Sequence, residues 1–346
     1  MTQRMPPEDD PIIRSLRDAG IRPLPPIGRA PSGPRRGVIV AMLAVVALLL
    51  LGPFIASRLA DWLWYREVGF ERVFFTKIIA QWLLGLPTAV IAFVVLYGSA
   101  RAALRGVETP GPQVQDTKLH SRLASATQAL LERGVAWLAL PASLLLAFFV
   151  GLAAAGQWRT LLQAYYGTSF GVADPVFGRD VGYYVFTLPA VELVTGLLFG
   201  LLLLALLLVV LPIHVARGEI VGSPRGMSIG PRAQTQLAVL AGLLLLLTAV
   251  RAHFVQIPGL LFGDHLPLTG ANYVDLHTRL PALHVLSVVA FAGALLILWG
   301  GVRGRLVPMA ARVVVGYAVV WVLATLIPAA YQRLVVQPNE LARETP

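Results

Sequence analysis

The chain alternates between long uncharged apolar runs and short polar segments. Seven runs approach the roughly 20 residues that a helix needs to cross the hydrocarbon core of a bilayer. Every backbone N–H and C=O must be bonded within its own segment in lipid, so each run is predicted to be a helix. The seven predicted spans are Val38–Ile55, Ile78–Tyr97, Gly134–Ala155, Leu193–Leu211, Ala233–Val250, Ala282–Gly301 and Val313–Tyr331.

The fifth span is the weakest of the seven, since its apolar part is only Leu237–Val250. It needs the polar residues before this stretch, or the residues after it, to complete the crossing. Pro189 and Pro281 stand just before spans four and six, where a helix tolerates proline. Proline inside a helix removes a backbone hydrogen bond, so Pro87 and Pro141 predict kinks in spans two and three.

Composition agrees with a membrane protein and excludes several other classes. Of 346 residues, 57% are apolar and 13% are charged, whereas an average soluble domain has roughly 45–50% apolar and about 25% charged residues. The absence of cysteine from the sequence excludes a disulfide framework, thiolate catalysis and cysteine-ligated metal sites. The predicted fold class is all-α, a polytopic bundle of about seven transmembrane helices.

The net charge of +10 is distributed unevenly over the predicted loops. With the N-terminus in the cytoplasm, 18 of the 28 basic residues fall on the cytoplasmic side, as the positive-inside rule requires. We therefore predict a cytoplasmic N-terminus and an extracytoplasmic C-terminus. The predicted partner of the basic face is anionic lipid of the inner leaflet, and not nucleic acid, which requires a basic stripe on a soluble fold. The basic residues assigned to this lipid are Arg35, Arg36, Arg303, Arg305 and Arg312.

Few polar side chains lie within or near the spans. Glu192 precedes span four and is interpreted as an interfacial anchor or as a buried group with a partner or function. His284, in the first turn of span six, is expected to be neutral and bonded to a neighbouring helix. Gly196 and Gly200 form a GxxxG pattern, for which packing inside the bundle is preferred over a dimer face.

The predicted outer loops carry most of the remaining polar chemistry. Loop one, DWLWYREVGFERVFFTK, is rich in aromatic residues, as at a membrane interface. In loop five, Asp264, His265, Asp275 and His277 could in principle bind a divalent metal or form an acid/base pair. Their spacing favours instead a polar loop with helix caps, since adjacent residues diverge. The sequence has neither a nucleophile elbow nor a glycine-rich phosphate loop, and we predict no catalytic residue, metal or cofactor.

Four segments in order, DWLWYREVGFERVFF, DPVFGRDVGYYVFTLP, ANYVDLHTRLPAL and RLVVQPNELARETP, resemble uncharacterised protein family 0182, a group of large bacterial multi-spanning proteins. The resemblance runs from about Arg36 to the last residue. It implies location in the cytoplasmic membrane, with seven N-terminal spans followed in typical members by a large extracytoplasmic domain, and it implies no biochemical activity. It draws attention to residues inside the motifs, which we expect to knit the outer loops into a cap: Asp174, Arg179, Asp180, Tyr273 and Asp275.

These observations predict three regions. Residues 1–37, with clustered proline and glycine, are expected to be a largely disordered cytoplasmic tail. Residues 38–331 form the seven-helix domain. Residues 332–346 form an extracytoplasmic tail. The family resemblance implies that this tail is the start of a downstream domain.

Three functions remain open. The leading hypothesis is anchoring and assembly, with the outer loops as a platform for an extracytoplasmic domain or a partner membrane protein. The alternatives are transport of a lipid or apolar solute, and a membrane enzyme that uses outer-face carboxylates on a lipid-linked substrate. A polar cavity to the midplane would favour transport, converging carboxylates would favour catalysis, and an exposed apolar patch would favour assembly.

Overall fold

The computed structural model describes residues 36–105, 118–223, 226–265 and 268–339, which fold mainly into long helices. The chain divides into two compact units, Met1–Phe74 and Phe75–Pro346. Most of the predicted N-terminal tail, including Arg35, lies outside the described residues. Arg36 is the first residue of helix α1.

Helix α1 runs from Arg36 to Glu67 and contains the first predicted span. A turn at residues 68–70, with Gly69 at φ 75°, separates it from helix α2, Glu71–Leu104. Residues 61–77, predicted as the first outer loop, are therefore largely helical, because both helices continue through the aromatic segment. Their location outside the membrane stays a prediction. Apart from Gly69 the segment has no helix-breaking residue, and Arg66 stacks over Trp62 and lies 3.9 Å from Glu71.

The second unit continues with α3, Lys118–Gly156, and the short α4, Trp158–Tyr165. Helix α5, Leu188–Leu204, begins from a π-helical turn at Tyr183–Thr187, and a second π-helical turn, Ala205–Val210, joins it to α6, Leu211–Ala216. Pro189 lies in the first turn of α5, as predicted. Pro87 and Pro141 lie inside α2 and α3, and the kinks expected there stay a prediction.

A hairpin of β1, Ile220–Ser223, and β2, Gly226–Ile229, leads into α7, Pro231–Arg251. Three further helical turns extend α7: Ala252–Gln256, α8 at Ile257–Gly259, and Leu260–Phe262. The fifth span thus uses the polar residues before its apolar stretch and the residues after it. A minimal hairpin follows, with β3 at Asp264–His265 and β4 at Leu268–Thr269.

The last two long helices are α9 and α10. Helix α9, Leu280–Val302, follows a π-helical turn at Asp275–Arg279 and has Pro281 in its first turn. Helix α10, Leu306–Tyr331, continues through Gln332–Val336 and Gln337–Asn339. Residues 332–339 therefore prolong the last helix, where a separate tail was expected, and residues 340–346 lie outside the described part.

Within the described ranges, six helical segments are long and apolar enough to cross a membrane. They contain predicted spans two to seven and confirm the all-α membrane class, with two short hairpins added. The segments extend beyond the predicted spans because a helix continues past the first charge that ends an apolar run. They are Glu71–Leu104, Arg133–Gly156, Tyr183–Ala216, Pro231–Phe262, Asp275–Val302 and Leu306–Asn339.

The core of the second unit draws buried residues from α2, α3, α5, α6, α7, α9 and α10. The most extensive contact between two helices is that of α7 with α9, and α10 also packs against α9. Small residues allow this close approach: Gly301 meets Ala238, and a Cβ at Gly242 would lie 2.8 Å from Leu298. The predicted packing role of Gly200 is wrong among the described residues, since a Cβ there would meet no atom within 4 Å. Gly196 faces the guanidinium of Arg251.

Candidate functional site

Asp180 folds the segment between α4 and α5. Its carboxylate accepts hydrogen bonds from the Ser169 hydroxyl at 2.7 Å and from the backbone N–H groups of Phe170, Gly171 and Gly182 at 2.7–3.0 Å. The Ser169 hydroxyl and then the Phe170 N–H favour the ionised form, and the pKa of Asp180 falls to about 2. Through these hydrogen bonds the Asp180 carboxylate connects residues 169–171 to residue 182 and so closes the loop between α4 and α5.

Asp174 organises the next turn of the same segment. It accepts bonds from the N–H groups of Val176, Phe177 and Arg179 and from the Tyr184 hydroxyl, at 2.6–2.8 Å. Burial raises the pKa of Asp174, but these donors, with Phe177 foremost, outweigh it and leave the pKa below its ordinary value. The Arg179 guanidinium lies over the Tyr183 ring at 4.5 Å. Both carboxylates therefore bind their own loop.

Asp275 caps the helix that becomes α9. Its N–H bonds the Asn272 side chain at 2.8 Å, and its carboxylate accepts the Asn272 N–H at 3.1 Å, so the two residues cap each other. The carboxylate is 1% exposed and also binds the Arg279 guanidinium at 2.8 Å. His277 lies in the same π-helical turn, but its ring stacks on Tyr273 at 3.9 Å and bonds the Tyr273 carbonyl.

Among the loop side chains that the structure describes, none assemble into a metal site. Asp264 and His265 pair through their backbones with β4, and their side chains lie outside the description. Across the described ranges, no group of three His, Asp or Glu side chains is placed to hold a metal ion. Asp275 is committed to its cap, as the sequence favoured for this loop.

A cavity of about 690 Å³ lies beside these loops, where α5, the turns after α7, α9 and α10 meet. We call it the headgroup cavity. Two charged residues line it, Glu192 from the first turns of α5 and Arg279 from the start of α9. Its remaining wall is mostly apolar and includes Leu188, Leu260, Phe262, Leu283, Tyr317 and Trp321.

A second hollow of about 470 Å³ adjoins the headgroup cavity and shares Tyr317 and Trp321 with it. We call it the apolar groove. It runs between α7 and α9 on one side and α10 on the other, and its other lining residues are Ala241, Leu244, Leu245, Ile297, Val313, Val314 and Ala318. No charged residue lines it, so the two hollows together are polar at one end and apolar at the other.

Two polar residues near the ends of helices, His284 and Arg251, make local or helix-to-helix hydrogen bonds. His284 bonds the Leu280 carbonyl of its own helix at 2.9 Å, so the expected bond to a neighbouring helix is wrong. Arg251 bridges α7 to α5 by binding the Thr195 hydroxyl and the Glu192 carbonyl.

The basic residues at the opposite end of the bundle are exposed. Arg303 lies over Trp299 at 5.4 Å, Arg312 contacts the Met309 sulfur, and Arg305 follows the turn between α9 and α10. Their exposure is compatible with the predicted binding of anionic lipid, which stays a prediction.

The model of one family, described as Uncharacterised protein family (UPF0182), matches residues 38–346. The chain belongs to this family. Similar relatives are UPF0182 proteins of Pelobacter propionicus, 36% identical over 89% of this chain, and Frankia casuarinae, 33% identical over 92%. These alignments cover 34% and 31% of the relatives, so the chain spans about a third of their length. No solved structure matches the chain.

One buried polar cluster of this UPF0182 chain, around His214, was not predicted from the sequence. His214, 1% exposed, places Nδ1 3.0 Å from the Glu219 carboxylate and Nε2 2.9 Å from the Gln236 side-chain oxygen. Gln236 in turn donates to the Ser99 carbonyl, and Arg217 binds Glu219 at 3.2 Å. The cluster ties the β1–β2 hairpin to α2 and α7. The sequence feature that could have indicated this cluster is a histidine, His214, at the end of an apolar run and five residues before Glu219.

Proposed function

We propose that this chain is the membrane module of a larger UPF0182 assembly. It crosses the bacterial cytoplasmic membrane seven times, with the N-terminus in the cytoplasm. The ends of α4, α5, α7 and α9 that carry the Asp174, Asp180 and Asp275 loops, here called the loop end, face outward. The loop end is the platform on which the part that the relatives possess beyond this region, or an equivalent partner, is seated.

The observation that carries this proposal is an apolar patch on a firmly tied loop. Tyr165, Tyr166, Phe170 and Val172 have exposed fractions between 55% and 78%. The Asp180 carboxylate binds the N–H of Phe170 and of the following residue, so the patch is held in place. Exposed apolar surface on an ordered segment is typical of an interaction site.

The enzyme hypothesis receives less support. It required carboxylates that converge on a substrate, but Asp174 and Asp180 bind their own loop and Asp275 binds a helix end. The hydrogen bonds that Asp174 and Asp180 accept lower the pKa of both carboxyl groups and favour the ionised form. A role in lipid handling is favoured by the headgroup cavity, because two charged residues line it and the apolar groove adjoins it.

Orientation can be tested with single cysteines, because the sequence has none of its own. Tyr166→Cys lies at the loop end, where the native side chain is 71% exposed, and Arg303→Cys lies at the opposite end. We expect an impermeant maleimide to label Tyr166→Cys on intact cells and Arg303→Cys only after permeabilisation. The reverse pattern would show that the orientation is inverted.

The platform itself can be tested with a photo-crosslinking amino acid at Phe170, in the full-length protein in its membrane. The matched control is the same substitution at Val302, which is 79% exposed at the opposite end. We expect Phe170 to crosslink to protein, either a later segment of the same polypeptide or a partner, and Val302 not to. Crosslinks from Phe170 to lipid alone would contradict the assembly role.

A further inference from the structure

Glu192 offers an exposed carboxylate to the headgroup cavity. It lies four residues into α5, about 6 Å along the helix from Leu188. Within the described ranges its carboxylate makes no hydrogen bond or ion pair, whereas its backbone carbonyl accepts hydrogen bonds from Arg251 and from the Thr195 hydroxyl. The carboxylate is therefore available to a ligand, and a cationic group that donates hydrogen bonds complements its charge.

Arg279 supplies the complementary charge in the same cavity. One of its terminal nitrogens binds Asp275 at 2.8 Å, while half of its side chain stays exposed. A guanidinium has five N–H donors and binds phosphate through several of them. Arg279 can therefore hold an anionic phosphate group while its pairing with Asp275 continues to fix the side chain.

The cavity leads directly into hydrocarbon-like surroundings. Tyr317 and Trp321 line the headgroup cavity and the apolar groove alike, and they stand one helical turn apart on α10. Tyrosine and tryptophan prefer the level where headgroups meet acyl chains, because each has an apolar body and one polar atom. A ligand that follows both hollows has a charged head and an apolar tail.

We propose that the headgroup cavity and the apolar groove bind one phospholipid with a primary ammonium headgroup, a phosphatidylethanolamine. Its ammonium donates hydrogen bonds to the Glu192 carboxylate, its phosphate binds the free donors of Arg279, and an acyl chain lies in the groove. Phosphatidylcholine carries the same charges but has no N–H to donate. Phosphatidylglycerol has no cation for Glu192, so the site discriminates against both.

The experiment is a lipid titration of the full chain in mild detergent, with bound lipid counted by native mass spectrometry. We expect one phosphatidylethanolamine to bind with a Kd about tenfold or more below that of phosphatidylglycerol, the factor that a charge-assisted hydrogen bond supplies. Glu192→Gln should abolish this preference. The matched control Glu67→Gln, an exposed glutamate at the end of α1, should preserve it.

A second variant tests the cavity without altering charge. Ala324 lines the headgroup cavity, and Ala324→Phe should weaken binding of phosphatidylethanolamine about tenfold or more. Ala330→Phe, on an exposed position of α10, should not. Equal affinity for the two lipids, or unchanged binding in both Glu192→Gln and Ala324→Phe, would overturn the proposal. The result is independent of the photo-crosslinking at Phe170, so either proposal can fail alone.

Discussion

The crossing of α2 and α3 depends on two glycines, and adding one methyl group to either gives a quantitative test. A Cβ at Gly151 would lie 2.6 Å from the Ala89 Cβ and 2.8 Å from the Gly85 carbonyl oxygen. Carbon atoms pack best at about 3.5–4.0 Å, so Gly151→Ala forces the helices apart by about 1 Å. Overpacking of this kind costs about 1–3 kcal/mol.

The matched control is Gly98→Ala, which lies on α2, the helix that contains Gly85. A Cβ at Gly98 would meet no atom within 4 Å, so the added methyl group brings no clash, and alanine stabilises a helix by up to about 1 kcal/mol relative to glycine. The two substitutions are chemically identical, yet we expect opposite signs. The difference between their free energies of unfolding should be about 1–4 kcal/mol.

The assay is unfolding by a denaturing detergent in mixed micelles, followed by the loss of helical circular dichroism. Gly85→Ala, whose Cβ would lie 2.8 Å from the Ala155 Cβ, should resemble Gly151→Ala. The double variant should cost less than the sum of the two, because one separation of the helices relieves both contacts. A Gly151→Ala protein as stable as Gly98→Ala would refute the close crossing.

Three further predictions concern the polar groups. The pKa of Asp180 is lowered from 3.8 to about 2, so the ionised carboxylate stabilises the fold above pH 3.8 and this stabilisation is lost as the pH falls through about 2. Hydrogen exchange of the amides at residues 170, 171 and 182 should therefore accelerate near pH 2. Asp180→Asn should remove this pH dependence. His214→Leu removes the partner of the Gln236 side-chain oxygen and one of the two partners of Glu219, which keeps Arg217. It should cost about 1–3 kcal/mol in the same unfolding assay, whereas His253→Leu, at an exposed ring, should change stability by less than about 0.5 kcal/mol. Asp275→Ala removes the cap of the helix leading into α9 and should cost about 1–3 kcal/mol.

The membrane helices were predictable because their signal is local. About 20 uncharged residues suffice to indicate a span, and spans two to seven lie inside the observed segments. The ends of the helices were not predictable in this way. The aromatic and charged residues from Asp61 to Glu67 end an apolar run, but the helix continues through them. Glycine packing was missed for a different reason. A GxxxG pattern identifies small residues on one helix. The close contact at Gly85 and Gly151 requires two helices to pack against each other, and the local sequence of neither helix predicts that pairing.

The candidate site divides in the same way. An asparagine three residues before Asp275 is a local capping pattern, and the prediction of a polar loop with helix caps followed from the same residue types. The headgroup cavity depends on Glu192 and Arg279, which are far apart in the chain. Glu192 stood out as a charge beside a span, whereas Arg279 looked like one more basic residue of an outer loop. Their shared cavity arises only from the packing of α5 and α9 around α10.

The acidic residues near the loop end can be separated by what surrounds them. Asp174 and Asp180 each accept bonds from three backbone N–H groups and a hydroxyl, and Asp275 pairs with a cap and a guanidinium. Such donors offset the cost of removing a carboxylate from water. The presence of Asp174, Asp180 and Asp275 is therefore explained by their role in folding. Among the described residues the Glu192 carboxylate has no such donors, and it is exposed in the wall of the headgroup cavity. A carboxylate that the fold does not use is open to a cationic group of a ligand, and for this reason Glu192 is a better guide to function than the more conspicuous acidic motifs.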